Sequence, residues 1–203
     1  MNYRNIIEKL NAQLIANGYV INDVDAIFKN ANEHELEVLT NTYKTFCISS
    51  SIYDEEDLIM LKNYNFPKKI IDFYREYSPS RNLIIHGGIN LFSLNNMKKE
   101  NSDLAPSAYL IKYGVFAFAN TFGGNAICMD LNMISEGEPR IIIADHSVFC
   151  DKELYIFRNG QMENLELSYD VIKEIAPQIC SKFTNFLEMA ANEEFDDIEN
   201  FLE

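Results

Sequence analysis

The spacing of apolar residues changes at Ser78-Pro79 and changes back near Asp170. Upstream, Ile6, Ile7, Leu10, Leu14 and Ile15, and later Ile70, Ile71, Phe73 and Tyr74, recur every three or four positions, which lines one face of a helix. Between the two marks lie short apolar runs bounded by glycine and polar residues: Leu83 to Ile85, Ile89 to Phe92, Val115 to Thr121, Ala126 to Leu131 and Arg140 to Ala144. These read as strands. Any fold for this chain must therefore place helices first, then tightly connected strands, then a closing helix.

Punctuation residues sharpen the boundaries. Gly18 is a C-cap for the first helix, Val24, Ile27 and Phe28 open a second amphipathic stretch, and a third is expected from Asn32 to Phe46. Ser49-Ser50-Ser51 reads as a polar connection, with a boundary near residue 49. Asp54 can N-cap a helix carrying Leu58, Ile59 and Leu61. Pro67 suits the first turn of the next helix, where its missing N–H does no harm. A polar helical piece is expected over 94–100. Phe122-Gly123-Gly124-Asn125 joins two strands, and Asn159-Gly160 is a strong hairpin signal between Leu154 to Phe157 and Met162 to Leu167. The last helix is expected over 170–190, kinked or interrupted at Pro177. Phe195, Ile198, Phe201 and Leu202 should dock the end of the chain as an amphipathic turn.

Charge limits the partners. The 203 residues carry 17 Lys and Arg against 31 Asp and Glu, a net charge of −14. Segments 1–48, 49–110, 111–187 and 188–203 hold −2, −1, −4 and −7, so half of the excess sits in the last sixteen residues. Such a balance argues against direct nucleic-acid binding, which uses Lys and Arg to neutralise phosphates, and against anionic lipid. It favours a basic partner or simple solubility. The longest mainly apolar stretch, Tyr113 to Ala119, is far short of the roughly 20 residues of a membrane helix. The first ten residues lack the basic head and apolar run of a secretory signal, so the expected location is the cytoplasm.

Few residues are spaced for chemistry. Cys47, Cys128, Cys150 and Cys180 form no C-x-x-C and share no metal-ligand spacing with His34, His86 or His146, so reduced, mostly buried thiols are expected. Asp145-His146 could be half of a nucleophilic triad, but neighbours in extended chain point to opposite faces, and no G-x-S-x-G elbow exists. The alternative is a capped strand end. Cys128 lies in an apolar run and reads as structural. Gly123-Gly124-Asn125 is followed by a strand instead of the helix that a phosphate cradle requires. Glu136, Glu138, Asp151 and Glu153 bracket the run Arg140 to Ala144 and could form an exposed acidic rim. Glu193, Glu194, Asp196 and Asp197, interleaved with Phe195 and Ile198, could attract a basic protein, because aromatics anchor while carboxylates steer. Without EF-hand spacing, a metal at Asp196 and Asp197 is disfavoured.

The order of "FPKKIIDFYREYSP", "INLFSLNNM", "VFAFANTFGGNAICMDLN", "RIIIADH" and "FTNFLE" resembles the SUKH superfamily over about residues 50 to 190. That superfamily includes the yeast cell-wall-assembly regulator and many bacterial immunity proteins. The matching positions are Gly123, Gly124, Asn125, Ile127, Asp130, Asp145, His146, Phe183, Phe186 and Leu187. The resemblance implies an α+β fold with a mixed, mainly antiparallel sheet and packed helices, over residues 49–190. Residues 1–48 would form an N-terminal helical extension and 191–203 an acidic C-terminal segment. It also implies a protein-binding immunity protein that neutralises a cognate toxin, with no enzyme activity, no cofactor and no metal, whose family positions mainly define the fold. A basic nuclease or deaminase is the natural toxin for an acidic partner. Two rivals remain: a regulatory adaptor like the yeast relative, and a hydrolase using Asp145, His146 or Cys128.

Overall fold

A computed structural model describes residues 3–18, 27–47, 52–158 and 160–202. Helix α1 (Tyr3–Ala16) is followed by the short strand β1 (Phe28–Lys29), helices α2 (Glu33–Thr40), α3 (Thr42–Cys47), α4 (Glu55–Leu61) and α5 (Lys68–Tyr77), and strand β2 (Ser78–Pro79). Strands β3 (Leu83–Ile85) and β4 (Ile89–Leu91) lead to helices α6 (Leu94–Asp103) and α7 (Ser107–Leu110). Then come β5 (Val115–Thr121), β6 (Ala126–Ser135), β7 (Glu138–Ala144), β8 (Glu153–Arg158) and β9 (Gln161–Glu166). Helix α8 (Tyr169–Ile175), strand β10 (Gln178–Cys180), helix α9 (Phe183–Ala191) and a 3-10 turn over Ile198–Leu202 complete the chain.

The central sheet has the order β10-β7-β6-β5-β4-β3, and every pairing in it is antiparallel. The fold is thus α+β with a mainly antiparallel sheet, as the resemblance implied. β3 and β4, β5 and β6, and β6 and β7 lie side by side because tight turns join them, whereas β4 reaches its neighbour β5 through α6 and α7. The core is aromatic where helices meet this sheet. Phe183 and Phe186 of α9 stand edge-on to Phe118 of β5 at 5.4 and 5.2 Å, and Phe73 of α5 joins Phe183 at 5.1 Å. Tyr3 of α1 then packs on Phe73 at 5.0 Å. Ile6, Ile7, Leu10 and Leu14 are buried in the same core as the sheet residues, and Gln13 Nε2 donates to the Ala190 carbonyl at 3.0 Å.

Beyond the end of β4, where Phe92 N–H still reaches Phe118 O at 3.0 Å, the side chain of Asn101 continues the ladder. Its amide donates to Ala117 O at 2.7 Å and its oxygen accepts Ala117 N–H at 2.9 Å. A fully buried asparagine thereby supplies the partner that a missing strand leaves out, which buried backbone groups require.

Several expectations change on contact with the structure. The stretch 170–190 is interrupted at Pro177, one of the two expected outcomes, but it does not continue as helix: α8 ends before Pro177, and Gln178–Cys180 becomes an edge strand on β7. Proline ends the helix because it has no N–H to donate, while its carbonyl accepts Ile143 N–H at 3.0 Å and starts the new pairing. Phe28 lies in strand β1, opposite Pro79, not in a helix; Val24 and Ser49-Ser50-Ser51 lie outside the described residues. The stretch from Asn32 to Phe46 divides into α2 and α3 at Asn41, with Asn32 and Glu35 closing a reciprocal capping box. Asp54 caps α4 in the same way through Asp57. The C-terminal turn docks as expected, with Phe195 and Ile198 buried. Gly87, at φ +79°, makes room for it, since a Cβ there would lie 2.6 Å from Phe195 Cβ.

Candidate functional site

Asn125, Asp145 and His146 sit at sheet ends and are held by hydrogen bonds. Gly123 and Gly124 turn β5 into β6, and Glu199 from the C-terminal 3-10 turn closes over them. Its Oε1 accepts from Thr121 Oγ1, from Gly123 N–H at 3.0 Å and from Asn125 Nδ2 at 3.1 Å. Gly123 admits that carboxylate, since a Cβ there would meet Glu199 Oε1 at 2.3 Å. With its amide nitrogen on Glu199, Asn125 turns its oxygen to His146, 3.1 Å from the backbone N and 3.0 Å from Nδ1. An oxygen only accepts, so Nδ1 of a neutral His146 carries the proton.

Asp145 ends β7 by accepting Ser147 N–H and Oγ–H through Oδ1, both at 2.8 Å. The same oxygen is 3.9 Å from His146 Nδ1. Asp145 and His146 thus cap a strand end and pin a loop. Cys128 is fully buried in β6, and burial pushes its thiol well above the ordinary value. A thiol held protonated is a poor nucleophile.

Asp130, also fully buried, is the hub of a second network. Oδ2 accepts from Arg140 Nε at 2.9 Å, Arg140 Nη2 at 2.7 Å and Tyr169 OH at 2.9 Å, while Oδ1 accepts from Asn132 N–H at 3.0 Å. Burial first, and then the Asp130 charge, push the Tyr169 phenol up to about 12, so it stays a donor. Phe183, Phe186 and Leu187 are buried in the core cluster.

The expected acidic rim divides. Glu138 is not on the surface: at 1% exposure its carboxylate accepts Thr184 N–H at 2.8 Å and the Thr184 hydroxyl, and pairs with Lys69 at 3.3 Å. Burial follows from its place in β7 opposite the start of α9, whose N–H groups need an acceptor. Glu136 is exposed and pairs with Lys182 at 2.8 Å. Asp151 and Glu153 are exposed, as are Glu193, Glu194, Asp196 and Asp197 around the buried Phe195.

Glu153 opens β8, and here the structure adds residues that the sequence reading missed. In the β8–β9 hairpin, Glu153 faces Glu166, Tyr155 faces Asn164 and Phe157 faces Met162. Paired positions share a face, and the alternate pair Leu154 and Leu165 turns inward, Leu154 being fully buried. Tyr155, Phe157 and Met162 are therefore left in solvent at 61, 73 and 70% exposure. Glu153 Oε2 lies 3.3 Å from both Tyr155 OH and Asn164 Nδ2, and its charge raises the Tyr155 phenol pKa. A signal existed in sequence: Leu154 to Phe157 is apolar at four consecutive positions, so a strand there must show apolar side chains on both faces.

Thiol accessibility checks this arrangement. Cys150 is exposed, whereas Cys128 and Cys180 are buried, and burial pushes the Cys180 thiol up to about 12. With a disulfide reagent at pH 8, Cys150 should react at once and Cys128 and Cys180 only as the chain unfolds, as mapped by peptide mass. Rapid labelling of Cys128 in the native protein would contradict the packing of β6.

In this antiparallel α+β domain Asn125, Asp130, Asp145 and His146 are bonded within the fold, and Tyr155, Phe157 and Met162 stand exposed together on one hairpin. The chain belongs to the SMI1 / KNR4 family (SUKH-1), whose model matches residues 54–189. No curated protein matches the chain. Among the described residues, no helix is long and apolar enough to cross a membrane, and no group of three or more His, Cys, Asp or Glu could hold a metal ion.

Proposed function

We propose that this protein is a cytoplasmic immunity protein that binds and neutralises a cognate toxin, a basic nuclease or deaminase, as a stoichiometric protein–protein complex. Family membership is compatible with that role. The observation that carries the reading is the use made of the polar family positions. Asn125, Asp130, Asp145 and His146 are each bonded to groups of the fold itself, so these residues support a scaffold whose work is done by its surface. The net charge of −14 supports a basic partner, because opposite fields speed encounter and an acidic surface can occupy a site shaped for a polyanion.

Co-expression with the protein encoded by the adjacent gene tests the reading. A tight complex that abolishes the partner's toxicity is the expected result. A neighbouring gene of housekeeping function, with no toxicity and no complex, would instead favour a regulatory adaptor like the yeast cell-wall-assembly regulator.

A further inference from the structure

Exposed carboxylates lie near exposed apolar side chains at several places, and among the described residues two of these places hold strongly exposed aromatic rings. At the C-terminal end, Phe122 is 72% exposed beside Asp196 and Asp197, but it is a single anchor. Glu199, the third carboxylate there, is committed to the Gly123-Gly124 turn, and Asp197 Oδ1 accepts Glu199 N–H at 3.0 Å. The β8–β9 hairpin differs on both counts. Tyr155, Phe157 and Met162 share one face with Glu153 and Glu166, and all five of these residues are exposed.

Glu153 and Glu166 also stand directly opposite one another in register. Like charges at such a pair repel. Lys152 is the cation beside them in the shallow depression that they line with Asn164, while Asp151 adds a further exposed carboxylate next to it. The surroundings of the apolar face are thus net negative. Large apolar side chains exposed together mark a binding surface more often than chance, and aromatic anchors bordered by charge have the composition of a binding hot spot.

We infer that the outer face of the β8–β9 hairpin is the surface that docks a basic protein, with Phe157, Met162 and Tyr155 as apolar anchors and Glu153 and Glu166 receiving Lys or Arg side chains. This rests on the immunity reading above for the identity of that protein as the toxin. A cation arriving beside Glu153 and Glu166 meets two carboxylates in register, whereas a second copy of the chain would bring its own net charge of −14. That asymmetry selects a basic occupant over a second copy of this acidic chain.

The test titrates the adjacent gene's protein, in catalytically inactive form, against the full chain and three variants: Phe157→Ala, Glu153→Lys/Glu166→Lys, and Glu193→Lys/Glu194→Lys. All changes are at exposed residues, and thermal melts confirm folding. The expected result is a loss of affinity of about 30-fold or more for Phe157→Ala. The Glu153/Glu166 variant should bind more weakly with an association rate lowered about tenfold at low salt, and the Glu193/Glu194 variant should remain near wild type. Wild-type binding that survives both hairpin changes overturns this inference and leaves the immunity reading standing. Absence of wild-type binding removes that reading and the inference with it. Sedimentation showing a dimer of this chain that Phe157→Ala dissolves also overturns it, by assigning the face to a second copy.

Discussion

Replacing Phe183 by alanine should lower the unfolding free energy by about 3–5 kcal/mol, the range for truncating a buried aromatic. Phe183 of α9 has no exposure and meets rings from two other elements: Phe73 and Tyr74 of α5 at 5.1 and 6.4 Å, and Phe118 of β5 at 5.4 Å. Its removal subtracts transfer energy and leaves a void among rings held from separate elements, which cannot all close on it. Urea denaturation should show a lower midpoint with an unchanged slope. Phe157→Ala is the natural comparison, because the same chemical change at 73% exposure should fall within about 0.5 kcal/mol of wild type. If the two phenylalanines prove alike in stability, the division between a structural family position and a surface anchor fails.

Asp130→Ala should cost about as much, roughly 3–5 kcal/mol, by a different route. The aspartate is fully buried and Arg140 is only 12% exposed, so deleting the carboxylate leaves a guanidinium in a site that was closed around an ion pair. Tyr169 and Asn132 lose an acceptor in the same step. Chemical denaturation of Asp130→Ala, Arg140→Met and the double variant separates the effects. The double variant should be more stable than the sum of the single losses, since it removes the stranded charge along with its partner. Strict additivity would mean that the pair is not coupled.

Much of the fold was legible because local chemistry and tertiary structure agree. Gly123-Gly124 and Asn159-Gly160, each set between two strand-like runs, read as turns between strands, and capping residues such as Asp54 mark their helix starts in any context. Legibility failed where a distant partner decided the outcome. The stretch 178–180 is as apolar as a helix face, yet the free edge of β7 draws it into the sheet once Pro177 has ended α8. Glu138 looks like any exposed acidic residue in a turn-strand junction, and only the docking of α9, 46 residues later, buries it. Asn101 falls in a polar helix and gives no hint that it mends a strand. The outer hairpin face was half visible: Glu153 could be named from charge, whereas Tyr155, Phe157 and Met162 stood out only when the register placed them together with it on one exposed face.

Stoichiometric neutralisation is tested most directly by titrating the toxic activity of the adjacent gene's protein with this chain. Binding at a surface predicts inhibition that rises in proportion to added chain and ends at one equivalent. It should be unchanged by the combined substitution of Cys128, Asp145 and His146 by alanine, provided that the variant remains folded. Complete, time-dependent inactivation by a small fraction of an equivalent, lost in that folded triple variant, would contradict it and make the protein an enzyme.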